Sequence, residues 1–224
     1  MTPVASILST KVLSKDLREQ LISNHIAIQE EDFISIAYNQ VDLKSHALDH
    51  VVLITSKNVI LSLLDSNLIN VLEGKEIYCV GNSIPKLLEP YGILVQQSFQ
   101  NAKTLGGFII QQSFKSVTFL RGNKSRPELP QLLIDHGVLL KQYELYTTRL
   151  TPKKMDQSFD GLLFFCPSAV ESYLTHHRIN NEQIICIGQT TASAVQPYAN
   201  HIMIADHQKV SSVIQKTIEL FQKS

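Results

Sequence analysis

Net charge is what the sequence most plainly lacks: twenty Lys and Arg stand against twenty Asp and Glu, for a formal charge of zero at pH 7. That excludes the strongly basic surface of a generic nucleic-acid or anionic-membrane binder, so an anionic ligand has to be attracted locally. Cysteine is scarce. Cys79, Cys166 and Cys186 are an odd number, each in or beside an apolar run, and none belongs to a CxxC pair. Neither a disulfide framework nor a thiolate zinc site is indicated, and a reducing cytoplasm is the expected compartment. No apolar run approaches the roughly 18 residues of a membrane span, and no basic region precedes an apolar stretch at the N-terminus. The expectation is a soluble protein without a targeting segment.

Motifs of several common chemistries are missing too. No two of the nine glycines are separated by one residue, so there is no GxG of a dinucleotide fold and no GxxxxGK[ST] phosphate loop. His176 and His177 are adjacent and cannot share a metal as a helical i, i+4 pair does; no metal is expected. GxSxG is absent, so Ser168 reads first as a helix N-cap rather than a nucleophile. Cys166 ends an apolar strand and reads as a small packing residue.

What is present is an ordinary globular composition, 44% apolar and 18% charged over 224 residues, enough for one large domain or two small lobes. Short apolar runs recur at Ile7-Leu8, Val51 to Ile54, Ile77 to Val80, Val117 to Leu120, Leu162 to Phe165 and Ile184 to Ile187. Each is followed by Ser, Thr, Gly or Asn and then by helical spacing. Apolar strands alternating with helices predict an α/β fold with parallel sheet covered on both faces.

The chain also resembles itself. IYCVGNSIPKLLEPYG (Ile77 to Gly92) aligns without a gap on IICIGQTTASAVQPYA (Ile184 to Ala199) at an offset of 107. LITSKNVI (Leu53 to Ile60) lies over LFFCPSAV (Leu163 to Val170) at 110, and Ser6 to Ile22 over Thr118 to Ile134 at 112. Three matches in one order predict two copies of a three-module unit, one from about residue 5 and one from about 117. FISIAY (Phe33 to Tyr38) and LYTTRL (Leu145 to Leu150) follow the first module of each copy and look extended. They are candidate crossings between lobes; one continuous sheet is the alternative. The polar segment Thr151 to Ser158 reads as a linker.

Equivalent loops follow the predicted strands: Thr10 and Lys11; Ser56, Lys57 and Asn58; Gly81, Asn82 and Ser83; Arg121, Gly122 and Asn123; Pro167 and Ser168; Gln189, Thr190 and Thr191. In an open parallel sheet such loops line the crevice at the carboxyl ends of the strands, where helix N-termini offer N–H donors to anions. If two lobes face each other through them, an uncharged protein can hold a polyanion by main-chain donors. Each residue singly is also a plausible helix cap.

At these loops the chain resembles the uroporphyrinogen-III synthase family: the TSxN turn (Thr55 to Asn58), VGN before its helix, RGNxxRxxLxxxLxxxG (Arg121 to Gly137) leading into YELYTT (Tyr143 to Thr148), FFCPSAV, and IGQTTA (Ile187 to Ala192). The resemblance implies two similar lobes, each a parallel sheet flanked by helices, joined by a two-stranded connector. Lobe one takes residues 1–35 and 150–224, lobe two 40–147, and the crossings fall near 33–40 and 145–150. It implies a cofactor-free cyclisation of hydroxymethylbilane to uroporphyrinogen III, with loss of water and inversion of ring D; a cytoplasmic monomer, binding no nucleic acid and no membrane, is expected. Tyr146 matches the family tyrosine held to assist departure of the hydroxyl, as a protonated phenol can. Its repeat mate is Ile34, so packing of the unit does not require a phenol there. The sequence departs from the family at Ile84, where Thr is common, at Cys166, where Ser is, at Lys11, where Arg is, and near Glu30, where Pro is. A two-lobed cytosolic binding module for a small polyanion is the alternative function.

Overall fold

A computed structural model describes residues 3–43 and 48–222. The first half of the chain forms β1 (Ala5–Ser9), α1 (Lys15–Ser23), β2 (Ile26–Glu30), β3 (Ile34–Tyr38), β4 (Val51–Ile54), α2 (Lys57–Asp65), β5 (Glu76–Val80), α3 (Ser83–Leu88), β6 (Val95–Phe99) and α4 (Ala102–Gln111). The second half forms β7 (Ser116–Gly122), α5 (Glu128–Asp135), β8 (Leu139–Leu150), β9 (Gly161–Phe164), α6 (Pro167–Leu174), β10 (Gln183–Cys186), α7 (Gln189–Val195), β11 (Ile202–Ile204) and α8 (Val210–Gln222). The two halves repeat one order of elements, with the single strand β8 standing where β2 and β3 stand in the first half.

The chain divides into two compact units, Met1–Ser35 with Arg149–Ser224, and Ile36–Thr148. The sheet of the first unit has the order β11-β10-β9-β1-β2. The other sheet has the order β3-β8-β7-β4-β5-β6. The pairings from β11 through to β2, and from β8 through to β6, are parallel. Each sheet thus joins strands from both halves of the chain, and the fold class is the α/β parallel-sheet class that alternating apolar strands and helices predict.

Alternation along the strands builds a core on each face. In the second unit Val52 and Ile54 of β4 face α2 and α3 through Val59, Ile60, Ile84 and Leu88. Val51 and Leu53 face α4 and α5 through Leu105, Ile109, Leu129 and Leu133. In the first unit Leu163 and Ile185 pack with α1 and α8, while Leu162, Phe164 and Ile184 pack with α6 and α7.

The strands absent from the sequence reading are edges or near-edges. β2 and β6 are not apolar throughout, because a strand at the rim of a sheet keeps polar residues such as Gln29 and Gln97 in contact with water, and β11 is only the three residues Ile-Met-Ile. LYTTRL is the last half of the twelve-residue β8, whose first half carries Lys141, Gln142 and Glu144. Phe33 precedes β3 and is fully buried. Residues 151–160 form no helix or strand, yet they are tied to their unit: Thr151 donates to the Asp32 and Phe33 carbonyls through Oγ1 and N, and Gln157 to Gln29.

Candidate active site

In each sheet the strand order reverses where the two chain halves meet, between β4 and β7 in one unit and between β9 and β1 in the other. Such a reversal leaves a crevice outside the carboxyl ends of the strands, since the loops on either side depart in opposite directions.

In the second unit that crevice is spanned by one side chain. Tyr146 sits on β8, and β7 lies between it and β4. Its ring crosses β7 over Gly122, where an added Cβ would stand 2.3, 2.5 and 2.8 Å from Cζ, Cε2 and Cε1 of the ring. The phenol Oη reaches Ser56 and donates to Oγ at 2.9 Å. Ser56 caps α2, accepting the Asn58 N–H at 3.3 Å. The aim of the ring comes from a β-bulge: Arg121 pairs with Glu144 but Gly122 with Tyr146, which leaves Leu145 as the extra residue. Leu145 and Tyr146 consequently bury on one face despite being neighbours in sequence. The Leu145 carbonyl is satisfied by the Ser62 hydroxyl at 2.6 Å and the Asn39 N–H at 2.9 Å. Asn123 fixes the chain beyond, donating its N–H to the Tyr146 carbonyl at 3.2 Å and accepting the Thr148 N–H on Oδ1 at 2.9 Å.

Arg121 is engaged close by. Its guanidinium donates to Gln142 Oε1 at 2.9 Å and to the Gly122 carbonyl at 3.2 Å, and lies 3.4 Å from Glu144. Its charge therefore holds the end of β7 to β8. Lys57 is exposed in the first turn of α2. One strand further out, Gly81 adopts a φ of +80°, which opens the turn into α3, and Asn82 and the exposed Ser83 begin that helix. Ile84, where the family often has Thr, is fully buried.

In the first unit the crevice is closed differently. Thr10 is 2% exposed, and both its N–H and its Oγ1 donate to the Leu163 carbonyl, at 3.1 and 2.7 Å. The hydroxyl is thus committed to joining β1 and β9. Two carboxylates hold the loop that follows: Glu30 accepts the Leu13 N–H at 3.0 Å and pairs with Arg18 at 2.5 Å, and Asp32 accepts the Val12 N–H at 3.0 Å. Lys11 is exposed on this loop. Beyond β9, Cys166 is the N-cap of α6, with Pro167 and the half-buried Ser168 as its first residues. Beyond β10, Gly188 precedes α7, where Gln189 and Thr190 are exposed and Thr191 is buried.

The structure therefore brings Ser56, Asn58, Gly122, Asn123 and Tyr146 together in one unit, and Thr10, Lys11, Pro167 and Ser168 at the crossover of the other. Sequence reasoning missed Ser62, Glu30, Asp32 and the bulge. Two adjacent large residues, Leu145 and Tyr146, inside a strand were the available sign of the bulge, and the coincidence of Ser62 with Ser172 in the repeat was the sign of Ser62.

The thiols are not poised as nucleophiles. Burial pushes Cys186 up to about 12 and raises Cys79. Cys166 is raised as well, because burial outweighs the Ala169 and Ser168 N–H groups and the nearby Lys11 charge. His177 stacks on Tyr173, with ring centroids 4.7 Å apart, and its Nε2 lies 2.9 Å from the Lys153 carbonyl. Among the described residues, no three His, Cys, Asp or Glu side chains gather as a metal site, and no helix is long and apolar enough to cross a membrane.

A two-unit α/β protein with crevices at its strand-order reversals is the class that this geometry defines. Solved structures share the fold. Uroporphyrinogen-III synthetase from Helicobacter pylori is similar at 20% identity and a TM-score of 0.71, over 96% of this chain and 99% of that one. A mutant uroporphyrinogen III synthase from Thermus thermophilus is similar at 12% identity and a TM-score of 0.72, over 98% and 99%. No curated protein matches in sequence. The profile of the family described as Uroporphyrinogen-III synthase HemD matches residues 18–215, and the chain belongs to that family. It is an enzyme of tetrapyrrole biosynthesis that closes hydroxymethylbilane to uroporphyrinogen III with loss of water.

Proposed function

We propose that the Tyr146 phenol supplies the proton on which the substrate's hydroxyl leaves as water, and that the loops opening α2 and α3 beside it hold substrate carboxylates through main-chain N–H groups. The observation that supports this reading is the Tyr146–Ser56 hydroxyl pair at the β4–β7 reversal, the part of a doubly wound sheet where ligands commonly bind. Loss of the hydroxyl leaves an azafulvene cation. Attack on it by the substituted carbon of ring D gives a spiro intermediate, which fragments and recloses with that ring inverted. The open chain also cyclises unaided to the type I isomer, so the protein has to hold one fold of the chain while stabilising a developing charge. Ser83 opens a helix whose N–H groups suit carboxylates, with Lys57 exposed in the same unit, and Ser168 and Thr191 enter such helices in the other unit, which carries the exposed Lys11. In this reading the protein works as a cytoplasmic monomer, with two lobes and no cofactor.

The test is incubation with freshly generated hydroxymethylbilane, followed by chromatographic resolution of type I and type III uroporphyrinogen. The expected product is type III. Product no richer in type III than the protein-free control overturns the reading and leaves a binding module.

A further inference from the structure

We propose that Ser56, not Tyr146, is the hydroxyl that meets the leaving oxygen, and that Tyr146 stands behind it as the group that refills its proton. This rests on the reading that the β4–β7 reversal receives the hydroxymethyl end of the substrate.

Burial sets the order: Ser56 is half-buried at the mouth of the crevice and Tyr146 is buried behind it, joined to it by one hydrogen bond. A serine hydroxyl has two acceptor lone pairs and one proton. Ser56 Oγ accepts from Tyr146 Oη at 2.9 Å and from the Asn58 N–H at 3.3 Å, so both lone pairs are engaged. With Tyr146 as the donor of the shared bond, no other hydrogen bond among the described residues takes up the Ser56 proton, which can donate outward. Tyr146 is 9% exposed, with its ring over Gly122 and its one proton directed at Ser56. A hydroxyl that accepts two hydrogen bonds is polarised into a better donor.

The step balances as follows. Ser56 Oγ gives its proton to the hydroxymethyl oxygen as the C–O bond breaks, and the bonding pair leaves with the oxygen as water. Tyr146 Oη returns a proton to Ser56. The proton shed by the ring carbon, when the closed macrocycle regains its pyrrole, passes back through Ser56 to Tyr146. The internal repeat supplies a contrast within the same chain. At the positions equivalent to Ser56 and Tyr146, the other unit has Cys166 and Ile34, which cannot form such a pair.

The test compares Ser56→Ala, Tyr146→Phe, the double variant and Ser56→Thr, reading kcat, KM and the type III fraction with hydroxymethylbilane. Ser56→Gly is added because glycine at an N-cap preserves the helix almost as well as serine. Each single loss of a hydroxyl is expected to lower kcat about a hundredfold or more with KM little changed. The double variant is expected to be no slower than Ser56→Ala, since Tyr146 acts only through Ser56, and Ser56→Thr to retain most activity. A Ser56→Gly enzyme that keeps kcat while Tyr146→Phe loses it overturns the relay and leaves Tyr146 as the direct donor. Losses that multiply in the double variant also overturn it. Normal kcat in both single variants removes the relay and the proton-source reading together.

Discussion

Gly122 shows how a residue with no side chain determines one that has chemistry. The RGN motif draws attention to the glycine in sequence, but not to the reason for it: a strand and a half away, an aromatic ring has to cross β7 to reach β4. Gly122→Ala is expected to force the Tyr146 ring off Ser56 and to destabilise the fold by roughly 1–3 kcal/mol, the ordinary cost of overpacking. Turnover should fall with it. Gly107→Ala is the control: an added Cβ there meets nothing within 4 Å, and on α4 it should stabilise by roughly 0.5–1 kcal/mol. Urea denaturation and the product assay on both variants check the pair. At the other end of the same strands, Asp49 faces Thr118 and Lys141, with its carboxylate 2.9 Å from the Thr118 hydroxyl and 3.3 Å from Lys141 Nζ. Burial there works to raise its pKa, but hydrogen bonds from Thr118, Ser116 and Lys141 prevail and hold it below the usual aspartate value. The folded-state value is the lower one, so the charged carboxylate stabilises the protein fully above the unfolded value of about 3.9 and loses that contribution as pH falls through the folded one. Asp49→Asn should therefore be less stable than the parent at pH 7, and the difference should shrink below about pH 4 when urea midpoints are compared.

Among the elements, central strands were legible, and of the rim strands only β3 was, through FISIAY. β4, β5, β7, β9 and β10 are apolar on both faces because helices cover both, and their runs stand out. β2 and β6 were hidden because a rim strand keeps polar residues, β11 because its apolar run is only three residues long, and the bulge in β8 showed only as the adjacent large residues Leu145 and Tyr146. The repeat mates α2 and α6 give an element-scale test. Ser62 on α2 and Ser172 on α6 coincide at an offset of 110, both are buried, and yet only Ser62 has a partner, the Leu145 carbonyl. Ser62→Ala should cost about 1 kcal/mol, since that carbonyl keeps the Asn39 N–H. It should also lower kcat by loosening the bulge that aims Tyr146. Ser172→Ala removes a buried hydroxyl that has no hydrogen-bond partner among the described residues, and should leave stability unchanged or raise it by up to about 1 kcal/mol. Thermal denaturation of the two variants decides whether the helices differ as this requires. Of the loop residues singled out in sequence, Thr10 and Arg121 have side chains already bonded within the fold. Sequence shows that a polar residue ends a strand, and it does not show whether its hydrogen bonds are already taken.

At the scale of the whole molecule, each half of the chain gives its first strands to the sheet built by the other half. β1 and β2 join β9, β10 and β11, while β7 and β8 join β4, β5 and β6. The repeat was readable because both halves keep one spacing of strands and turns; the exchange was expected from the two extended crossing segments and the family resemblance, since strand pairing leaves no mark on a single chain's composition. The exchange means that neither half, 1–112 or 113–224, contains a complete sheet, whereas each compact unit keeps its sheet but for the ends of β3 and β8 at the boundary. Unit Ile36–Thr148 is one uninterrupted stretch with a core on both faces of its sheet. The other unit is interrupted once, between Ser35 and Arg149, and there the Thr151 N–H donates to the Phe33 carbonyl at 3.0 Å, so the cut ends lie close together. A short Gly-Ser linker from Ser35 to Arg149 replaces the missing stretch at little entropic cost. Both the 36–148 fragment and the linked 1–35/149–224 variant should therefore give cooperative denaturant unfolding with α/β circular dichroism, while the fragments 1–112 and 113–224 should not. Cooperative unfolding of a sequence half, or its loss in both units, would show that the cores described for each unit do not suffice to hold them.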